Sequence, residues 1–213
     1  MTGGRDKVLA ALRRALAGEA ASDAGIGPEP FPAPRAAADP HLEMDRLLAE
    51  VQALSGVTAR LAAAEIDAAL SHLVAEQTVR RATLWQTPRL RALGIEQRLG
   101  ALGVDIVSPH SDKRTLAECD LGVTEVDFAL PETGTLALLS SPTKPRAVSL
   151  VPRVHLAILG AAALRADLHQ VFAEARQASY LVFITGPSRT ADIELVVTLG
   201  VHGPQALFVW AMS

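Results

Sequence analysis

Between residues 57 and 107, short β-branched and aliphatic runs alternate with longer segments of helical period, and this alternation leaves few folds open. Residues 57–61 read as a strand. Residues 64–75 read as a helix with Ile66, Leu70, Leu73 and Val74 on one face, and 81–85 as a second strand. Residues 88–102 follow as a helix with proline in its first turn, and 104–107 as a third strand. Strand, helix and strand in succession form the unit of a parallel sheet covered by helices, so the chain is expected to be α/β. After a short helical piece near Leu116 the pattern lapses. Residues 121–130, 135–139 and 147–151 read as a meander of extended pieces, which makes the sheet mostly parallel but mixed. Residues 154–159 return to a buried strand, and 161–176 read as a helix turning Leu164, Leu168, Val171 and Phe172 inward. A strand at 180–184, a polar turn, a helix carrying Ile193, Val196 and Val197, and a strand at 206–211 close the chain.

The segment before residue 57 is built differently. Residues 5–18 form a short helix with Val8, Leu9, Leu12 and Leu16 on one side, and residues 41–54 form another with Leu47, Leu48, Val51 and Leu54. Between them, residues 19–40 contain Pro28, Pro30, Pro32, Pro34 and Pro40 and no apolar period, the pattern of an extended linker. Residues 1–56 are therefore read as a helical, Pro-rich arm and 57–213 as the domain. The first helix can dock on a partner, on a second copy to make a homo-oligomer, or on its own domain.

Composition bounds the function. Hydrophobic residues at 49% support a packed core, and a net charge of −3 gives no basic footprint for nucleic acid. The single cysteine, Cys119, excludes an internal disulfide and a self-contained four-thiolate cluster. No apolar run reaches membrane-spanning length and no signal-peptide core is seen, so a cytoplasmic protein is expected. The six histidines show no metal-ligand spacing, and no glycine-rich dinucleotide or phosphate loop appears, so no metal or cofactor is expected in this chain.

Two turns carry candidate chemistry. In the first, Gly186 permits unusual backbone angles, Pro187 fixes φ, Ser188 or Thr190 can cap a helix start, and Arg189 offers a fork of donors for carboxylate or phosphate. Asp192 and Glu194 argue against an anion there, so the turn reads either as a capped helix start or as an anion site. In the second, Glu132 precedes Thr133, Gly134 and Thr135. Either the carboxylate works as acid, base or nucleophile beside two hydroxyls, or the threonines bond their own backbone in a hairpin turn. Arg146, Ser149 and His155 lie around the next strands. His202, bracketed by Gly200, Val201, Gly203 and Pro204, is the histidine favoured for function, because a loop histidine between glycines is exposed and free to move.

Taken together, Gly122 to Thr124, Asp127 to Thr135, Arg146 to Ser149, Pro152, His155, Thr185 to Glu194 and Gly200 to Pro204 resemble the LUD domain of the LutC/YkgG family, the lactate utilization protein C group. The resemblance covers roughly residues 57–213. It implies a NagB/RpiA/CoA-transferase-like three-layer sandwich and a role in oxidising L-lactate to pyruvate. It also implies partner proteins of the same operon that carry iron–sulfur clusters. With Cys119 alone, the chain is then expected to be a non-redox subunit. The other reading is a stand-alone enzyme or binding protein for a small carboxylate, sugar phosphate or thioester, using the Glu132 turn and the 185–190 loop.

Overall fold

The computed structural model describes residues 4–18, 35–36, 38–191, 197–199 and 203–213, with the side chains of 15–18, 190–191 and 197–199 left aside. It divides into two units, Met1–Ala33 and Pro34–Ser213. The first contains the helix α1 (Gly4–Gly18), whose Val8, Leu9 and Leu12 are exposed.

The second unit opens with α2 (Pro40–Ala53). Asp39 caps it by accepting from the backbone of His41 at 2.8 Å, and proline fits the first turn, where no N–H is needed. Its Met44, Leu47 and Val51 are buried. After β1 (Val57–Leu61), a 3-10 turn leads into α3 (Ile66–Glu76), which buries Ile66, Leu70 and Leu73 as its period required. Next come β2 (Arg81–Leu84), α4 (Pro88–Ala92), α5 (Ile95–Ala101), β3 (Asp105–Val107), α6 (Lys113–Ala117) and β4 (Leu121–Glu125). The single helix expected over 88–102 is two, because Gly94 takes a left-handed φ of 62° between them.

The remaining elements are β5 (Phe128–Leu130), β6 (Thr135–Leu139), α7 (Ala147–Leu150), β7 (Val154–Gly160), α8 (Leu168–Glu174), β8 (Leu181–Ile184), β9 (Arg189–Ala191), β10 (Val197–Leu199) and β11 (Ala206–Met212). Six strands make one sheet in the order β1-β11-β7-β4-β2-β3, every pair parallel. The strand β7 is buried along its whole length and β11 along most of it, as expected for central strands covered on both faces. The α/β class with a parallel central sheet is thus as expected. The antiparallel component forms two sheets of its own, β5-β6-β8 and β9-β10.

Three expectations need correction. Residues 147–151 are not an extended piece but the helix α7, despite two valines. Tertiary packing overrides strand propensity here: a Cβ at Gly122 in β4 would overlap the Val148 carbonyl, so the strand makes room for the helix backbone. Residues 161–176 are not one helix. A 3-10 turn (Ala161–Ala163) gives way to an extended stretch in which Arg165 donates its N–H to the Ala129 carbonyl at 2.9 Å, and Asp167 then caps α8. Of the four residues expected inside, Val171 is buried and Leu164 packs on the core, whereas Leu168 and Phe172 are exposed. Finally, the turn at 185–190 opens no helix at its own end. Its chain runs into β9, which pairs antiparallel with β10, and β8 before it pairs antiparallel with β6 rather than joining the parallel sheet. Val197 sits in β10; Ile193 and Val196 lie outside the described residues.

Candidate functional site

The two motif turns meet on opposite sides of a short hydroxyl string. Thr133 Oγ1 lies 2.7 Å from Thr135 Oγ1, which lies 2.9 Å from Thr185 Oγ1. The antiparallel pairing of β6 with β8 creates this contact by setting Leu136 opposite Ile184, so that the residues before and after them become neighbours.

Both turns also hold α2. Gly134 has φ 61°, and a Cβ there would lie 2.9 Å from the backbone of Glu50 and Val51. Gly186 has φ 94°, and its Cβ would lie 3.0 Å from the Leu54 carbonyl oxygen. Arg189 donates to that same Leu54 carbonyl and to Ser55 Oγ at 3.1 Å, so its guanidinium closes the carboxyl end of α2. With no helix starting at 185–190, the backbone donors and dipole that would favour an anion there are missing. Glu132 is 56% exposed and stands 3.9 Å from both Arg35 and Arg46. The Thr190 side chain and all of His202 lie outside the described residues.

The 185–190 turn forms one wall of a cleft of about 200 Å³ at the amino ends of β7 and β11. Ser149, His155, Phe183, Thr185, Gly186, Ser188 and Leu207 are among its walls, and Glu132 is not. Ser188 is held in place by its N–H donating to the Pro204 carbonyl at 2.9 Å. Ser149, buried in α7, donates Oγ–H to the Arg146 carbonyl at 3.0 Å. Among the described residues no charged side chain lines the cleft.

His155 is the polar group of most consequence here. It is 1% exposed on β7, and its Nε2 lies 2.9 Å from Oγ1 of the fully buried Thr124. Its Nδ1 is buried with no hydrogen-bond partner among the described residues. Burial penalises the imidazolium and pushes the pKa down to about 3, so the ring is neutral at physiological pH. Sequence reasoning set His202 ahead of it. The signal that points to His155 is a histidine standing alone in the otherwise apolar run Val154 to Leu159, where burial is certain to constrain it.

Elsewhere, no group of three His, Cys, Asp or Glu side chains among the described residues is placed to hold a metal. Cys119 is buried, and desolvation raises its thiol pKa, which makes it an unreactive core residue.

The six-stranded parallel sheet, the small antiparallel sheet and both turns fall in the part of the chain that matches the LUD domain family. The chain belongs to that family, which it matches over residues 49–211. Within it the chain groups with the LutC/YkgG proteins. It is 34% identical over 151 residues to Lactate utilization protein C of Halalkalibacterium halodurans, spanning 65% of each chain. It is 33% identical over 150 residues to Lactate utilization protein C of Shouchella clausii, spanning 66% of each. It is 36% identical over 128 residues to the uncharacterized protein YkgG of Escherichia coli, spanning 54% of this chain and 55% of that one. The chain thus spans just under two thirds of the length of the first two relatives and just over half of the third. A crystal structure of a DUF162 family protein from Deinococcus radiodurans superposes with a TM-score of 0.62 at 18% identity, covering 83% of this chain and all of that one, and shows the same fold.

Proposed function

We propose that the protein serves lactate utilization as a subunit without a redox centre of its own, in a cytoplasmic system that oxidises L-lactate to pyruvate through iron–sulfur clusters carried by partner proteins. The observation that carries this reading is the match to relatives named Lactate utilization protein C, beside a LUD domain match over residues 49–211 that spans both motif turns. The single, buried Cys119 agrees with electron transfer being left to partners. No described helix is long and apolar enough to cross a membrane, in keeping with the proposed compartment. Glu132, paired with Arg35 and Arg46 and outside the cleft wall, supports a subunit over an enzyme built on that carboxylate.

The test is reconstitution. The protein is co-expressed with the cysteine-rich proteins encoded beside it, and L-lactate-dependent reduction of a dye is measured with and without this chain. Co-purification and a loss of lactate oxidation on omission are expected. Undiminished lactate oxidation by the partners alone, with no association, would overturn the proposal.

A further inference from the structure

We propose that the cleft at the amino ends of β7 and β11 binds a small uncharged compound, one of whose carbonyl or hydroxyl oxygens accepts a hydrogen bond from His155 Nδ1–H. This goes beyond the lactate reading and does not depend on it.

The tautomer follows from counting donors and acceptors. A neutral imidazole carries one N–H and one lone pair, and among the described residues the Thr124 hydroxyl makes no hydrogen bond except to His155 Nε2 at 2.9 Å. If Nε2 carried the proton, the buried Thr124 hydroxyl hydrogen and the Nδ1 lone pair would both be left unpaired. If Thr124 donates to Nε2, only Nδ1–H remains unpaired. The second arrangement leaves a single orphan, a donor on a ring that forms part of the cleft wall. An unpaired buried donor is costly, so the site is completed by an acceptor from outside.

The walls define that acceptor's class. Thr185 and Ser188 provide hydroxyls that can donate or accept, and Leu150, Phe183 and Leu207 provide apolar surface. With no charged side chain among the described walls and a neutral imidazole, a carboxylate or phosphate would lose hydration without gaining a countercharge. A volume of about 200 Å³ is somewhat above the ~150 Å³ of a cavity that accepts benzene, so a compound of roughly six to eight non-hydrogen atoms fills it. A short amide, ketone or alcohol fits, whereas a nucleotide does not.

The experiment uses the full-length 15N-labelled protein at pH 7 and follows the His155 ring nitrogens by long-range proton–nitrogen correlation, with propionamide as the probe. A proton on Nδ1 is expected, with a saturable shift as propionamide is added and the amide oxygen at Nδ1 in soaked crystals. L-lactate and inorganic phosphate should bind about tenfold more weakly or worse, reflecting an uncompensated charge. Ser188→Leu, which fills the cleft from a half-buried loop position, should abolish the shift while leaving the Thr124–His155 hydrogen bond intact. The proposal is overturned by a proton on Nε2, by propionamide binding undiminished in Ser188→Leu, or by L-lactate binding as tightly as propionamide. It is equally overturned if the shift is absent at saturating probe and the cleft holds an ordered water only. None of these readouts requires partner proteins or lactate oxidation, so their failure leaves the proposed role in lactate utilization untouched, and the converse also holds.

Discussion

Gly134→Ala separates the two readings of the Glu132 turn. If Gly134 exists to let a ligand approach, alanine should lower affinity and leave the fold alone. If it exists to let the turn press on α2, alanine should cost stability. The structure gives two contributions to that cost. A non-glycine residue at φ 61° loses about 1–2 kcal/mol relative to an unstrained position. The new methyl would also stand 2.9 Å from backbone atoms of Glu50 and Val51, where overpacking typically costs about 1–3 kcal/mol. Neither neighbour is a flexible side-chain end, and Val51 is fully buried, so little of the clash is relieved cheaply. The sum is about 2–5 kcal/mol. For a domain of this size that lowers Tm by roughly 4–20 °C, at about 2–4 °C per kcal/mol. Calorimetry on the variant and the parent reads it directly. Gly134→Asn should recover about 1 kcal/mol, since asparagine tolerates the left-handed region better while keeping the clash. Gly100→Ala, in the exposed interior of α5 with nothing within 4 Å of its Cβ position, should instead stabilise by about 0.5–1 kcal/mol. A Gly134→Ala protein that melts with the parent would refute the contact between turn and helix.

Three further outcomes are expected. Arg35 grips Glu43 through two bonds of 2.8 and 2.7 Å, and Glu43 is 7% exposed, so Arg35→Met should cost about 2–3 kcal/mol in urea denaturation, less than a fully buried pair because Arg35 is itself partly exposed. The hydrogen bonds from Arg35 hold the Glu43 carboxyl below its ordinary 4.5. The pair's contribution is therefore present above that pH and lost as pH falls below it, and this acid-side loss should be missing in Arg35→Met. For His155 the folded pKa of about 3 lies below the unfolded value of 6.5, so the unfolded chain takes up the proton first. Its contribution is complete above about pH 6.5 and falls by up to about 1.4 kcal/mol per pH unit toward pH 3. Denaturation at pH 7, 6 and 5 should show that slope in the parent, and its absence in His155→Gln would identify the group. Glu132→Gln removes ion pairs at 3.9 Å from an exposed carboxylate, so stability should stay within about 0.5 kcal/mol and lactate oxidation by the reconstituted system should be unchanged. Lost oxidation would restore Glu132 as a chemical group.

The parts that were legible in the sequence are those in which local pattern and tertiary environment agree. Residues 66–76, 81–84 and 206–212 take the structures their periods require, because each buries the face its own sequence marks as apolar, and 57–61 is a strand as read although its Val57 is exposed. The misreadings fall where a distant backbone decides. Residues 147–151 carry strand-like valines, but what fixes them as a helix is a missing side chain at Gly122, some twenty-five residues earlier. The turn at 185–190 has the composition of a capped helix start, yet Gly186 and Arg189 answer to the end of α2, and Ser188 answers to Pro204. None of those partners is visible from local spacing.

The same reasoning explains why the candidate site moved. A sequence reader looks for charge and exposure, and so selects Glu132, Arg189 and a loop histidine. The structure pairs the first two with groups of its own, Glu132 with Arg35 and Arg46, and Arg189 with Leu54 and Ser55. An Arg189 donor is already taken, so binding there must first displace what satisfies it, while Glu132 meets its arginines only at 3.9 Å, is 56% exposed and lies outside the cleft wall. A buried neutral donor with no partner is in the opposite position: it bears its desolvation cost until an acceptor arrives, so an incoming oxygen gains a hydrogen bond without breaking one. That inequality is why the histidine within the apolar strand β7, and not the carboxylate at the turn, is the group around which this cleft is built for binding.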